Sequence, residues 1–452
     1  MRNKKIIALL IIAAFFSNIS LGQKKPNIVF ILADDYGIGE VGAYGADNYK
    51  TPNIDALAKT GLKFNHCYTG ALCGPSRAMI LTGRYAFRTG ATNQDKTGQF
   101  TPQAEKMIPT LLKKAGYVSA SIGKWGQLPL TPADFGFDDY LTFRGSGIYW
   151  NYQKKGKDYF VNGKTIDLKD NEYMPDLMHQ KAVEFLIENK SKPFFLYYPL
   201  SHVHNEILPT PDSATGTNNV YYDNVVYMDK LVGKLMATLD SLKLRENTLV
   251  IFMGDNGTAK TRADAATIGG KRLIGEKGSM KEGGGLVPLI ANWKGVTAKG
   301  KESNMMVDAT DFLPTFMQLA GMKPTETVID GESILPEIKG QKTTHRTWIY
   351  NQLAKMWYVR ELNWKLNQAG EFYDMSKAPF EEILVPADSK DTEAIAERAR
   401  LQKVLDKLNP AGGIVDDGDG TGRHGNKTKN KEGNEDKEGK KDKKNKNKEA
   451  EE

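Results

Sequence analysis

The 452-residue chain is long enough for one large domain with a smaller companion, and its 40% hydrophobic and 10% aromatic content supplies a sizeable core. A formal net charge of +7 is modest for this length and gives no ground for nucleic acid as a partner. With only Cys67 and Cys73 the chain is not a disulfide scaffold: either the two close one short loop, or Cys67 is a small buried filler and Cys73 is kept for chemistry.

In chain order, the first residues join a basic "MRNKK", a short apolar "IIALLIIAAFF" and the small residues "SLG" before Gln23. This is the plan of an export signal whose apolar run is too short for a bilayer span. It predicts residues 1–22 as a signal peptide, and an exported chain, periplasmic or secreted, without a stable membrane anchor. "KPNIVFILADD" predicts a buried parallel strand ending in Asp34 and Asp35. "TPNIDALAKTG" predicts an amphipathic helix with Pro52 in its first turn and Gly61 at its end. "IPTLLKKAGYVSASIGKW" is a helix closed by Gly116 and then a strand, and "KPFFLYYPLSHVH" is another apolar strand running into polar residues. "NVVYMDKLVGKLMATLDSLKL" predicts a long helix, and "NTLVIFMGDNG" a strand closing on Asp255 and Asn256. The alternation predicts an α/β fold: a large, mostly parallel sheet sandwiched by helices, at residues 23–344.

After about residue 345, "WYVRELNWKLNQAGEFYDM" reads as short antiparallel strands and "DTEAIAERARLQKVLDKL" as a closing helix. Residues 345–408 are therefore expected to form a smaller C-terminal α+β subdomain with a short antiparallel sheet. Residues 409–452 turn to Gly, Asp, Lys, Glu and Asn without apolar periodicity, which predicts a disordered charged tail. "DDGDGTG" within it lacks the twelfth-position Glu of an EF-hand and reads as linker.

Asp34, Asp35, Asp255 and Asn256 all fall at the strand ends where open α/β sheets bind ligands. Four oxygen-bearing side chains there suit a hard divalent cation such as calcium, while each pair taken singly is ordinary turn chemistry. In "ALCGPSRAMILTGR", Pro75 and Ser76 read as a helix start, which puts Cys73 just before a helix N-terminus, a place that favours the thiolate.

Cys73-Gly74-Pro75-Ser76-Arg77, followed by Leu81-Thr82-Gly83-Arg84, resembles the signature of the formylglycine-dependent sulfatases of the alkaline phosphatase-like superfamily. "PNIVFILADDYG", "TPNIDALAKTGLKF", "KPFFLYY", "MDKLVGKLMATLDSLKLRENTLVIFMGDNG", "GEKGSMKEGG" and "FYDMSKAPFEE" resemble the family in its order. The resemblance implies that a formylglycine-generating maturation enzyme oxidises Cys73, whose hydrated aldehyde is then the nucleophile. It implies that Asp34, Asp35, Asp255 and Asn256, with residue 73, hold Ca2+. Arg77 is similar to the arginine supporting the hydrated aldehyde, Lys124 and Lys277 to the lysines on the sulfate oxygens, and His204 to the histidine beside the ester oxygen.

The function so implied is calcium-dependent hydrolysis of sulfate esters on sulfated carbohydrate, with a terminal sulfated sugar of a polysaccharide-derived oligosaccharide held in a pocket. Substrate contacts are expected by position at Trp125, Gln127, His202, Arg262, Lys271 and Arg272. Two positions depart from the family pattern: Gly126 stands where a histidine often follows Gly-Lys-Trp, and Gly285 interrupts the expected run after Glu282-Gly283-Gly284. Gly126 leaves open a catalytically impaired sulfated-glycan binding protein, with His66 or His202 as compensating groups. A phosphate or phosphonate ester hydrolase on the same fold is the other alternative.

Overall fold

The structure is a computed structural model describing residues 25–94, 101–126, 128–152, 158–323, 328–414 and 416. The expected signal peptide, Gln127 and the tail beyond residue 416 lie outside the described residues.

The main sheet is built from β1 (Asn27–Ala33), β2 (Leu62–Tyr68), β3 (Val118–Ile122), β4 (Asp139–Phe143), β5 (Asp158–Val161), β6 (Lys164–Asp167), β7 (Phe194–Pro199) and β8 (Thr248–Gly254). A small ribbon of β9 (Thr267–Ile268) and β10 (Lys271–Arg272) follows, and β11 (Leu286–Trp293) and β12 (Lys301–Asp308) return to the sheet. Its order is β12-β2-β11-β8-β1-β7-β3-β4-β5-β6. β8, β1, β7, β3 and β4 run parallel, while β11 is antiparallel to both neighbours and β5–β6 form an antiparallel edge. The α/β sandwich is thus as expected, and β11 and the β5–β6 edge add the antiparallel pairs.

All seven residues of β1 are buried because both faces of the sheet are covered. Ile28, Phe30 and Leu32 enter a core shared with the helices Cys73–Thr82 and Phe312–Leu319. Val29, Ile31 and Ala33 enter the opposite core, with the helices Met174–Asn189 and Val220–Ser241. Each large apolar side chain withdrawn in this way contributes about 1.5–3 kcal/mol. The helix Pro52–Thr60 begins as its sequence predicts, with Pro52 in the first turn, and buries Ile54, Leu57 and Ala58. Two of its unpaired N–H groups, those of Asn53 and Ile54, donate to the Asp229 carboxylate at 3.1 and 2.8 Å.

The C-terminal sheet comprises β13 (Trp348–Leu353), β14 (Met356–Glu361), β15 (Trp364–Asn367), β16 (Phe372–Asp374) and β17 (Ile383–Val385), antiparallel throughout. The closing helix Thr392–Leu408 is capped by Asp391, which accepts from Glu393 N and Ala394 N, and it ends on Asn409 in the left-handed conformation. The next residues come back to the main domain, where Ile414 N donates to Phe87 O at 2.7 Å. Among the described residues no helix is long and apolar enough to cross a membrane.

Candidate active site

β1 lies between β8 and β7, so chain order reverses across it, and the loops after these three strands meet at one crevice. The backbone locks them together. Asp34 N donates to His202 O at 2.7 Å, Val203 N to Asp34 O at 2.8 Å, and Asp255 N to Ala33 O at 2.9 Å. Asp34, Asp35, Asp255 and Asn256 are thereby set side by side, all at 2% exposure or less.

Cys73 is the first residue of its helix, two positions earlier than the sequence suggests. Pro75 sits inside the first turn, where a missing N–H breaks no intrahelical bond. Neither cysteine is in a disulfide, which removes the short-loop pairing, and Cys67 is fully buried on β2 as a filler. One donor-capable atom each from Asp34, Cys73 and Asp255 lies within 4.8 Å of the others, and Asp34, Asp35 and His204 form a second such group.

Each carboxylate meets a cation. Lys124 Nζ donates to Asp34 Oδ2 at 2.7 Å, Lys277 Nζ to Asp35 Oδ1 at 2.5 Å, and Arg77 Nη2 to Asp255 Oδ2 at 2.7 Å. Arg77 is fully buried and also holds Lys124 O at 2.9 Å. Burial pushes the Asp34 carboxyl up, but Lys124, His204, Arg77 and Lys277 together hold it well below the usual carboxylate range. Burial and the charge of Asp34 push Asp255 up, against Arg77. Burial disfavours the charge on Lys277, yet Asp35 outweighs it and keeps the ammonium protonated.

Local sequence explains two of these placements. Gly123 has φ +130, and a Cβ there would lie 2.0 Å from Pro199 O; the close approach lets Lys124 N donate to Pro199 O at 2.9 Å and turns Lys124 into the site. Lys277 N donates to Thr258 O at 3.0 Å and Gly278 N to Ala71 O at 2.8 Å, so the Lys277 loop is tied to the segments flanking Asn256 and Cys73.

His204 keeps its Nε2 3.9 Å from Asp35 Oδ2, and its Nδ1 meets Asn205 O. Burial lowers its pKa, so the neutral ring is favoured. Gly126 borders the site: a Cβ there would meet Lys124 Cε at 3.5 Å and Arg77 Cδ at 3.9 Å, with φ at +73. Gly285 has a packing reason, because a Cβ would come within 2.7 Å of Asn351 Nδ2 and 2.8 Å of Thr69 O.

The expected substrate contacts divide. Trp125 is 4% exposed, packed against Phe135 and Phe137 with Nε1 on Pro129 O, so it is core and not a sugar surface. His202 is fully buried with Nε2 3.0 Å from Tyr173 OH, and desolvation lowers its pKa to about 3, so it is not a surface contact either. His66 stands on β2, where its charged neighbours are Arg360 and Glu282. Arg272 is paired with Asp264 and Glu276, Lys271 lies over the Phe380 ring, and Arg262 lies over the Tyr221 ring.

One neighbour of Cys73 had no signal in the sequence. Gln94 Nε2 donates to Cys73 Sγ at 3.3 Å while its Oε1 accepts from Gly74 N at 3.0 Å, capping the helix from a distant loop. Asn256 offers a donor for a cation: its Nδ2 donates to Asp35 Oδ1 and Gly257 O, whereas its buried Oδ1 has no partner. Three carboxylates and an orphaned amide oxygen form a hard oxygen set that fits calcium.

Comparison with known proteins agrees with this geometry. A family model described as Sulfatase matches residues 26–322. The chain is 34% identical over 373 residues to the N-acetylgalactosamine-6-sulfatase of Canis lupus familiaris, covering 76% of this chain and 71% of that one. It is 30% identical to an arylsulfatase of Hemicentrotus pulcherrimus, covering 72% and 64%. Among solved structures, Ps i-CgsB in complex with k-i-k-neocarrahexaose superposes with a TM-score of 0.73 at 29% identity, covering 85% of this chain and 93% of that one.

Proposed function

Because this chain belongs to the sulfatase family and is a sulfuric ester hydrolase, we propose that it removes sulfate from sulfated carbohydrate, with residue 73 as nucleophile and calcium as its metal. The observation that carries the reading is the convergence of Cys73 with three carboxylates and three fixed cations at one sheet edge. The glycan part is supported by the substrate named for the canine relative and by the neocarrahexaose bound to Ps i-CgsB.

Asp34, Asp35, Asp255 and Asn256 would hold the calcium, which when bound supplies a fixed double positive charge beside the nucleophile. Residue 73, once converted to formylglycine by a maturation enzyme, would supply a hydrated aldehyde as the nucleophile in place of the thiol. The rest falls to side chains already in place. Asp34, Asp35 and Asp255 balance Arg77, Lys124 and Lys277, so the protein alone leaves little net charge, and an added dication turns the site attractive to a sulfate monoester. Lys124 and Lys277 neutralise the sulfate oxygens without reorganising, because their ammonium groups are already held by Asp34 and Asp35. The Lys277 ammonium, kept protonated by Asp35, delivers the proton that the departing sugar oxygen needs, and His204, whose neutral ring is favoured, would serve there only by relaying a proton it first takes up. Arg77 holds Asp255 and the Lys124 carbonyl, which keeps the floor of the site rigid.

We further read the chain as exported, with residues 23–344 as the catalytic domain and 345–408 as the companion subdomain. The test is mass spectrometry of the tryptic peptide Phe64–Arg77 from protein co-produced with a formylglycine-generating enzyme, paired with sulfate release by the same sample. An aldehyde or hydrate at Cys73 with sulfate release that Cys73→Ala abolishes is the expected result. An unmodified thiol beside a converted control substrate, or release that survives Cys73→Ala, overturns the mechanism.

A further inference from the structure

We propose that Trp150 and Tyr152 form a stacking platform for a second sugar, adjoining the one that carries the scissile sulfate, so that the site is built for oligosaccharide chains and not for single sulfated sugars. The proposal rests on the sulfated-carbohydrate reading above and extends it to substrate length.

β4 runs parallel to β3, and β3 to β7, so the loop after β4 emerges at the same edge as the loops bearing Asp34 and His204. That loop lies directly across the His204 segment. Tyr149 OH donates to Ser201 O at 3.0 Å and to His204 O at 2.9 Å. Gly147 approaches so closely that a Cβ would stand 2.5 Å from Asn205 O.

From there an aromatic series leads outward. The Tyr173 ring is 6.1 Å from His202 and 4.8 Å from Trp150. The Trp150 indole is pinned at its edge, Nε1 donating to Pro209 O at 2.8 Å. Tyr152 stacks on it with ring centroids 6.1 Å apart and planes 15° from parallel. Tyr152 is 62% exposed, the one aromatic side chain so exposed among the described residues.

A single exposed aromatic needs no explanation, but one ring backed by an anchored second ring is a flat, rigid, wet-edged apolar surface. The C–H face of a pyranose matches such a surface, and little entropy is lost because the rings are already ordered. Tyr149, three residues before Tyr152, holds the His204 carbonyl and so sets the platform beside the His204 loop, and the proposed course of the sugar chain is from the sulfate pocket over that loop toward Tyr152.

The test compares kcat/KM on a tetrasaccharide ending in N-acetylgalactosamine 6-sulfate and on neocarrahexaose with that on 4-nitrophenyl sulfate. In Tyr152→Ala the oligosaccharide-to-aryl ratio should fall about threefold to tenfold, through KM. Tyr152→Phe, which keeps the ring, should hold the wild-type ratio. A wild-type enzyme that cleaves an oligosaccharide, with a ratio unmoved by Tyr152→Ala, overturns the platform and leaves the carbohydrate reading standing. Wild-type release from 4-nitrophenyl sulfate alone, or from none of the three, overturns the carbohydrate reading itself.

Discussion

Arg360 Nε donates to Glu282 Oε1 at 2.7 Å, and its Nη2 to Oε2 at 3.1 Å, between two side chains at 2% and 1% exposure. The pair joins β14 of the small sheet to the segment just after Lys277. Tyr68 OH donates to the same carboxylate at 2.8 Å, and Lys365 Nζ holds Met280 O at 2.7 Å and Glu382 at 2.9 Å. The C-terminal sheet therefore buttresses the loop that presents a site lysine.

Removing one partner strands the other as a buried charge. Arg360→Met is expected to lower stability by about 3–5 kcal/mol in urea unfolding. The double variant Arg360→Met/Glu282→Leu should recover part of the loss, because neither charge is then left without its partner.

Lys277→Ala removes a preorganised cation from the site. Loss of one such electrostatic contact typically costs about 10²–10³ in kcat. Sulfate-release kinetics should show that drop while circular dichroism stays that of the wild type. A loss confined to KM would assign Lys277 to ground-state binding instead.

Gly123→Ala and Gly116→Ala separate close approach from conformational preference. Both glycines have positive φ, but a Cβ at 123 would collide with Pro199 O at 2.0 Å, whereas at 116 it meets nothing within 4 Å. Gly116→Ala should cost about 1–2 kcal/mol, the left-handed penalty alone. Gly123→Ala should cost more than about 3 kcal/mol and misplace Lys124, read as a larger fall in Tm and in activity.

His66 makes stability fall on acidification. Burial, then Arg360, lowers its pKa to about 4 in the folded protein, against Glu282, from an ordinary value of 6.5. Below pH 6.5 the unfolded chain binds a proton that the folded chain refuses until about pH 4, so stability is lost as pH falls through that window. The full difference amounts to about 3 kcal/mol at most. His66→Gln should flatten the slope of Tm against pH between 6.5 and 4.

Calcium should stabilise the folded chain independently of turnover. Chelation is expected to lower Tm by several degrees, and calcium at about 100 times its Kd to restore about 2.7 kcal/mol. Asn256→Leu, which removes the orphaned Oδ1, should shrink that response. A Tm indifferent to both chelator and calcium would remove the metal from the proposed site.

The local part of this architecture is readable from the chain because it depends on near neighbours. The β-branched run "NIVFILA" buries both faces as β1, Pro52 and Gly61 bound their helix, and Asp34 with Asp35 falls at a strand end by adjacency. The Cys73–Arg77 turn is equally compact, so the family resemblance could rest on it. What folding alone decided is every pairing across long stretches of sequence: Arg77 with Asp255, Lys277 with Asp35, Gln94 with Cys73, Arg360 with Glu282.

The misjudged residues show the same division. Trp125 and His202 stand beside site residues in sequence, yet the loops after β3 and β7 turn Trp125 into a core with Phe135 and Phe137, and His202 toward Tyr173. Sequence patterning determines which face of an element is apolar. Which side chains then face one another across the crevice depends on strand order and loop closure, and those are set by tertiary packing of segments that carry no mark of their partners.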